Sequence, residues 1–114
     1  MKIYYLEIVT PDVDGTIAIF TASHGVKFSD PIAEFGQGRI AQMPNGGKIS
    51  VRAPMHESEA PVTRTYFLTD DIEAATDKAV AAGAQLAHPP LEIPGEGKFS
   101  IIFHGGNQFG FWQV

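Results

Sequence analysis

At 114 residues, the chain is long enough for one domain with its own hydrophobic core and too short for two independent domains. Its 44% apolar and 18% charged residues are typical of a soluble globular protein, and a net charge of −5 without a basic cluster argues against nucleic acid as a partner. The chain contains no cysteine, which excludes disulfides and thiolate chemistry. No apolar stretch is long enough for a bilayer, so we expect a cytoplasmic protein without a membrane partner.

The first half of the chain predicts a strand, a helix and three further strands. Tyr4–Thr10 is rich in β-branched and aromatic residues, as strands are. The helix that follows would be capped by Asp12 or Asp14 and would end at Gly25. Further strands are expected at Val26–Ser29, Gly38–Met43 and Lys48–Ala53, with the turn Pro44-Asn45-Gly46-Gly47 joining the last two and a polar linker at Pro54–Pro61.

The second half predicts the same elements again. Arg64–Thr69 is a strand, and the helix Ile72–Ala82 begins where Asp70 and Glu73 have capping-box spacing and stops at Gly83. The remaining segments are a short strand at Gln85–His88 ended by Pro89-Pro90, and a hairpin of Lys98–Phe103 and Gln108–Val114 joined through His104-Gly105-Gly106-Asn107.

The order strand, helix and three strands is therefore written twice. Aligning the halves places Tyr5 on Arg64 and Asp12 on Asp71, and each helix ends at a glycine. The alternative is an α+β sandwich in which the similarity arose by chance. We favour the repeat, because the strand, the Thr-x-Asp turn and the helix recur in register.

Four stretches carry a resemblance to a known family, and together they span nearly the whole chain. They are Glu7 to Asp12, Asp70 to Ala75 with Ala82-Gly83, Pro89 to Phe99, and Gly106 to Trp112. A doubled βαβββ unit with these turns resembles the vicinal oxygen chelate superfamily, the fold of glyoxalase I, bleomycin-resistance proteins and extradiol dioxygenases, and in particular a glyoxalase-related subgroup. The superfamily hosts unrelated chemistries, so the resemblance is more specific for fold than for function.

The resemblance implies an α+β fold in which two βαβββ modules form a curved mixed sheet around a cup. We expect one glyoxalase-like domain over residues 1–114, with module 1 at about 1–56 and module 2 at about 62–114. Modules from two chains often complete each other's sheets in this superfamily, and exposed edge strands favour pairing, so the expected assembly is a homodimer.

The resemblance also implies where a metal would bind, and those positions lack suitable ligands. The family's ligand positions on the two first strands fall on Tyr5 and Arg64, and the glutamate position on the last strand falls on Gly110. Lys48–Ala53, the expected source of the remaining ligand, contains no His, Glu or Asp. We therefore predict no metal and no cofactor, and we interpret Gly110 as a gap beside Trp112 that could form the floor of a ligand cavity.

The candidate site residues have both a functional and a structural interpretation. Glu7 could act as a general base or anchor a ligand, but we favour an ion pair with Arg64 or Arg52. Aromatic and guanidinium groups could stack on a planar ligand and clamp an oxygen, or they could simply fill the core. The predicted ligand-binding set is Tyr5, Glu7, Arg52, Arg64, Tyr66 and Trp112, with Glu7 as the catalytic candidate. The four histidines, at 24, 56, 88 and 104, are scattered and are expected at the surface.

Three functional classes remain, in descending order of preference. The first is a metal-free protein that binds a small aromatic or amphipathic molecule in the cup. The second is a glyoxalase-related lyase or isomerase, or a dioxygenase-like enzyme, with a non-standard site that uses Glu7 as a base. The third is a non-catalytic subunit whose cup is filled by its own side chains.

Overall fold

The structure, a computed structural model, describes residues 1–44 and 46–114. It divides into two compact units, of which the first comprises residues 5–63 and the second residues 1–4 and 64–114. In chain order the elements are β1 (Ile3–Val9), α1 (Val13–His24), a 3-10 turn (Ala33–Phe35), β2 (Arg39–Gln42), β3 (Lys48–Arg52), β4 (Val62–Leu68), α2 (Ile72–Ala81), β5 (Gln85–Ile93), β6 (Gly97–His104) and β7 (Asn107–Gln113).

In the first unit, β3 pairs in parallel with β1 and antiparallel with β2, which gives a mixed sheet in the order β2-β3-β1. Asp12 caps α1 by accepting a hydrogen bond from the Gly15 N–H at Oδ1 (3.1 Å), and Gly25 ends the helix with φ 64°. Buried Ala41, Ile49 and Val51 are in the core on the helix side of the sheet. Side chains alternate along a strand, so Glu7, Ser50 and Arg52 are on the opposite face.

In the second unit, β7 pairs in parallel with β4 and antiparallel with β6, and β6 pairs antiparallel with β5, which gives the order β4-β7-β6-β5. The capping box expected of Asp70 and Glu73 is wrong by one residue: Asp71 caps α2 through a hydrogen bond from the Ala74 N–H to Oδ1 (3.1 Å). Ile72 and Thr76 bury one face of this helix, and the Thr76 and Ser100 hydroxyls are 2.8 Å apart. This unit has the complete βαβββ order that the sequence predicts.

Two predicted elements differ in the structure. The strand expected at Val26–Ser29 is reduced to one bridge between Phe28 and Ala41, because the chain leaves the sheet at Asp30-Pro31. The break expected at Pro89-Pro90 is wrong, since β5 continues through both prolines to Ile93 with two shifts in its register against β6. A strand at the end of a sheet tolerates proline, because an outward-facing N–H has no partner to lose.

The predicted turns are mostly confirmed. The β6–β7 hairpin turns at Gly105 and Gly106, whose positive φ values of 59° and 82° suit a two-residue turn. Strands β2 and β3 form the predicted hairpin, although Asn45 of the connecting turn lies outside the described residues.

Candidate functional site

A buried arginine and two glutamates form a charged network in the first unit. The side chain of Arg52 is 5% exposed, and its Nε donates to Oε2 of Glu7 at 2.9 Å. Its two terminal nitrogens bind the two oxygens of Glu59 at 2.8 and 2.7 Å, a bidentate arrangement. The predicted ion pair of Glu7 is therefore confirmed, with Arg52 as the partner, and Glu59 is a member of the network that the sequence did not identify.

The hydrogen bonds of this network fix the charge on Glu59. The bidentate contact with Arg52 outweighs the effect of burial and lowers the pKa of Glu59 to about 2, with a further contribution from the Met55 N–H, which donates to Oε1 at 2.7 Å. The same contact with Glu59, followed by that with Glu7, raises the pKa of Arg52. Both ends of the contact are thus ionised throughout the physiological pH range.

Tyr5 and Ser50, which are two residues away in sequence from Glu7 and Arg52 respectively, are also buried. Tyr5 is 3% exposed, and its ring stacks on Phe35 with centroids 5.7 Å apart. Ser50, directly opposite Glu7 in the β1–β3 pairing, is fully buried, and its Oγ has no hydrogen-bond partner among the described residues. The sheet face that carries Glu7 and Arg52 is therefore lined by packed side chains.

The second unit contains a cluster of aromatic rings that crosses β6 and β7. Trp112 stands edge-on to Tyr66 (centroids 5.7 Å apart, 87°) and is stacked on Phe99 (6.1 Å, 28°). Tyr4 lies 6.1 Å from the other side of the indole. The indole N–H of Trp112 donates to the Glu96 carbonyl oxygen at 3.0 Å. Tyr66 and Trp112 are each 3% exposed, so both rings are core residues in this structure.

The proposed gap at Gly110 is occupied. A methyl group built at Gly110 would lie 2.6 Å from Cε2 of Tyr66 and would also collide with the Ser100 carbonyl oxygen. The interpretation of Gly110 as the floor of a cavity is therefore corrected: the residue is glycine because the Tyr66 ring packs directly against its backbone.

Arg64 holds the side-chain amide of Gln108 in a single orientation. Nε and Nη2 of Arg64 donate to Oε1 of Gln108 at 3.1 and 2.7 Å, and Nη1 is 3.5 Å from the Tyr66 hydroxyl. Two guanidinium N–H bonds to one atom identify that atom as the amide oxygen, so the amide nitrogen Nε2 is the opposite end. This nitrogen has no protein partner within residues 1–44 and 46–114 and carries two donors.

The apolar side chains beside Gln108 are only partly covered. Phe99, Ile101 and Phe103 alternate along β6, so they share one face, and all three are half-buried. Phe103 lies directly opposite Gln108 in the β6–β7 pairing. His88 on β5 lies opposite Ile101, and its ring stacks on Phe99 at 5.1 Å. We call Phe99, Ile101, Phe103, Gln108 and His88 the β6 face.

The predicted site residues thus fall into two groups. Tyr5, Glu7 and Arg52 belong to the first unit, and Arg64, Tyr66 and Trp112 belong to the second. No residue of the β6 face was in the predicted set, although the alternation of residues 99, 101 and 103, and of 108, 110 and 112, was available in the sequence. His88 was expected to be an ordinary surface residue.

The described residues contain neither a cluster of metal ligands nor a helix that could span a membrane. No group of three or more His, Cys, Asp and Glu side chains that could hold a metal ion occurs among the described residues. In the same part of the chain, no helix is long and apolar enough to cross a membrane.

Comparison with known proteins identifies the fold. No protein-family profile matches the chain. A protein named "Putative glyoxylase CFP32" from Mycobacterium tuberculosis is 29% identical over 96% of this chain and 44% of its own length. The anthracycline biosynthesis protein DnrV from Streptomyces peucetius is 23% identical over 96% of this chain and 46% of its own. The crystal structure of methylmalonyl-CoA epimerase from M. tuberculosis superposes with a TM-score of 0.75 at 16% identity, over 97% of this chain and 86% of that one. The chain has the fold of the vicinal oxygen chelate superfamily.

The vicinal oxygen chelate fold confirms the resemblance read from the four sequence stretches and the predicted α+β class. The chain spans less than half the length of the curated relatives it matches. The solved epimerase is less than a fifth identical to this chain, and this likeness establishes the fold alone.

Proposed function

We propose that this protein of the vicinal oxygen chelate fold binds a small molecule on the β6 face, without a metal ion. The ligand has a planar apolar body and an anionic or carbonyl oxygen. The observation that carries the proposal is the Gln108 amide, which Arg64 orients so that its N–H groups are directed away from the guanidinium, beside half-covered apolar side chains.

The two halves of this face suit the two parts of such a ligand. An anionic or carbonyl oxygen of the ligand could accept a hydrogen bond from Gln108 Nε2, and such a bond is stronger when the oxygen is charged. The half-buried side chains of Ile101 and Phe103 present apolar surface, on which a planar ligand gains about 25 cal/mol for each Å² removed from water. A few polar groups among apolar walls are the usual composition of small-molecule sites.

The relatives are consistent with a small-molecule role. Their names describe a glyoxylase and a protein of anthracycline biosynthesis, and the epimerase of the same fold is named for a coenzyme A ester. Binding without a metal is supported by the residue types at the positions that the family resemblance assigns to ligands, namely Tyr5, Arg64 and Gly110.

The test compares two probes that differ in one group. 2-Naphthoate has the planar body and an anionic oxygen pair, whereas 2-methylnaphthalene has the body alone. We expect isothermal titration calorimetry to show tighter binding of 2-naphthoate by about 10-fold or more, since hydrogen bonds to charged groups contribute about 1.5–3 kcal/mol. Gln108→Glu keeps an oxygen for Arg64 but removes the amide donors, and it should abolish this preference.

The matched control is Gln42→Glu, which makes the same chemical change at an exposed position of β2 in the first unit. It should retain the preference for 2-naphthoate. Equal binding of the two probes by the unmodified protein, or an equal effect of the two variants, would refute the proposal.

A closed, non-catalytic subunit is the second candidate, and one observation favours it. Tyr66 and Trp112 are almost fully buried and Tyr66 covers Gly110, so part of the predicted cup is filled by the chain's own side chains. If neither naphthalene probe binds and neither shifts the indole 15N–1H resonance of Trp112, this candidate replaces the binding protein.

Catalysis by Glu7 stays a prediction. Arg52 already donates to Oε2 of Glu7, so that carboxylate oxygen is engaged in the ion pair. Catalysis by Glu7 would be established if Glu7→Gln abolished substrate turnover and Glu57→Gln, a change at an exposed loop glutamate, did not.

The homodimer also stays a prediction, which rests on the exposed edge strands expected of this fold. Sedimentation velocity should give a species of about twice the 12.3 kDa chain mass, and a monomer at micromolar concentration would contradict this expectation.

A further inference from the structure

A hydrogen bond to the backbone shows which ring nitrogen of His88 carries a proton. Its Nδ1 lies 2.6 Å from the carbonyl oxygen of Pro89, and a carbonyl oxygen can only accept, so Nδ1 carries the proton. In the neutral ring, Nε2 is then a hydrogen-bond acceptor. No side chain or backbone group in the described part of the chain binds Nε2.

The orientation of the His88 ring is fixed as well. It stacks on Phe99 with centroids 5.1 Å apart and an interplanar angle of 26°, and it is half-buried at the β5 side of the β6 face. The stacked ring and the hydrogen bond at Nδ1 together leave little rotational freedom at χ2. The acceptor atom is therefore pre-positioned, which reduces the entropy lost when a partner binds.

The donor at Gln108 and the acceptor at His88 stand at two ends of the same apolar surface. Gln108 pairs with Phe103 on β6, whereas His88 pairs with Ile101, so the two are separated by two strand spacings across the sheet and two residues along it. Those separations correspond to about 12 Å between the two backbone positions. From this backbone separation we infer a ligand of about two aromatic rings with one hydrogen-bonding group at each end.

We propose that His88 Nε2 accepts a hydrogen bond from a hydroxyl or N–H group of the ligand, so that the ligand class is a hydroxy- or amino-substituted aromatic acid or carbonyl compound. The inference rests on the proposed function and narrows it: the acid or carbonyl oxygen binds at Gln108, the ring system lies on Phe103 and Ile101, and the donor reaches His88. Gln108 and His88 together then favour such a ligand over an aromatic acid that lacks the distal donor.

The test uses 6-hydroxy-2-naphthoate and 6-methoxy-2-naphthoate. Both have the carboxylate and both have an oxygen at position 6, but only the hydroxyl can donate a hydrogen bond. A neutral hydrogen bond contributes about 1 kcal/mol, so the unmodified protein should bind the hydroxy compound about fivefold more tightly in calorimetric titrations.

His88→Phe removes the acceptor and keeps a ring that can stack on Phe99, so the fivefold preference should fall to about one. The matched control is His104→Phe, since His104 is exposed at the end of β6 and alternation places it on the other face. This control should keep the preference. A second readout is the imidazole 15N spectrum of His88, in which the hydroxy compound should shift Nε2 and leave Nδ1 in its protonated position.

Each remaining outcome has a distinct meaning. If the unmodified protein binds 2-naphthoate but does not distinguish the hydroxy from the methoxy compound, the role of His88 is refuted. The proposal that the β6 face binds the ligand is then retained. A preference that persists in His88→Phe also refutes the role of His88. If 2-naphthoate itself does not bind, the proposed function fails, and the role of His88 fails with it.

Discussion

Replacing Glu59 by glutamine should destabilise the protein at neutral pH through the loss of a single charge. Glu59 is in the segment that follows β3, and its carboxylate binds both terminal nitrogens of Arg52, which is 5% exposed. A glutamine oxygen can still accept one of these hydrogen bonds. The change therefore leaves the buried guanidinium with Glu7 as its full negative partner and a neutral group in place of the second.

The size of the effect follows from the pKa of Glu59. Lowering this pKa from the ordinary value of 4.5 to about 2 corresponds to about 3 kcal/mol at pH 7, at 1.36 kcal/mol for each pH unit. The side chain is 18% exposed and keeps some contact with water, and one hydrogen bond survives the change. We therefore expect a loss of about 2 kcal/mol in the free energy of unfolding.

The pH dependence of this loss has a definite sign. The pKa of Glu59 is lower in the folded than in the unfolded protein, so its contribution is complete above pH 5 and disappears as the pH falls from about 4.5 toward 2. The difference between the unmodified protein and Glu59→Gln should therefore be constant between pH 5 and 7 and should shrink steadily below pH 4.5.

Urea denaturation followed by far-ultraviolet circular dichroism at pH 7, 5, 4 and 3 measures this difference, at constant ionic strength and with unchanged m values. Glu57→Gln is the control, since Glu57 is exposed in the same loop, and it should change the free energy of unfolding by less than about 0.5 kcal/mol. Equal losses in the two variants, or a Glu59→Gln deficit that stays constant down to pH 3, would refute the reasoning.

Two further changes test the packing of each unit. Gly110→Ala should cost about 1–3 kcal/mol or prevent folding, because its methyl group would overlap the Tyr66 ring and the Ser100 carbonyl; a variant of unchanged denaturation midpoint would contradict that packing. Ser100→Ala should cost about 1 kcal/mol, because the buried Thr76 hydroxyl, which donates to the Ile72 carbonyl oxygen, loses the hydrogen bond that it accepts from Ser100. Ser50→Ala should be neutral or stabilising, because Ser50 Oγ has no partner among the described residues. A larger loss for Ser50→Ala than for Ser100→Ala would show that Ser50 has a partner in solution.

The features predicted well from the sequence are those that depend on neighbouring residues. The Asp12 cap and the hairpin at Gly105-Gly106 are confirmed, because capping and tight turns are determined within four residues, whereas the predicted Asp70 cap of α2 is displaced by one residue to Asp71. The strand expected at Val26–Ser29 shrank to one bridge, because strand length depends on whether a distant partner stays alongside. β5 continues through Pro89-Pro90 because its partner β6 stays alongside it as far as Ile93.

The candidate site was harder to predict for a related reason. An ion pair of Glu7 with Arg64 or Arg52 was predicted and the structure pairs it with Arg52, but Glu59 comes from a loop whose path no periodicity specifies. Gly110 was correctly placed on an inward face, yet whether its missing side chain leaves space depends on the rotamer of Tyr66. A sequence pattern specifies which side of a strand a residue occupies, and the packing of other side chains decides what fills that side.

The prolines of β5 also affect how the protein behaves at high concentration. β5 is the last strand in the sheet order of the second unit, the position where an unpaired edge could recruit a strand from another molecule. Pro89 and Pro90 have no N–H, and the register shifts on either side of His88 interrupt the regular spacing of the backbone groups. An incoming strand would find no continuous row of donors there. Edge-to-edge aggregation through β5 is therefore disfavoured, and any two copies that associate by extending a sheet must do so through a different strand.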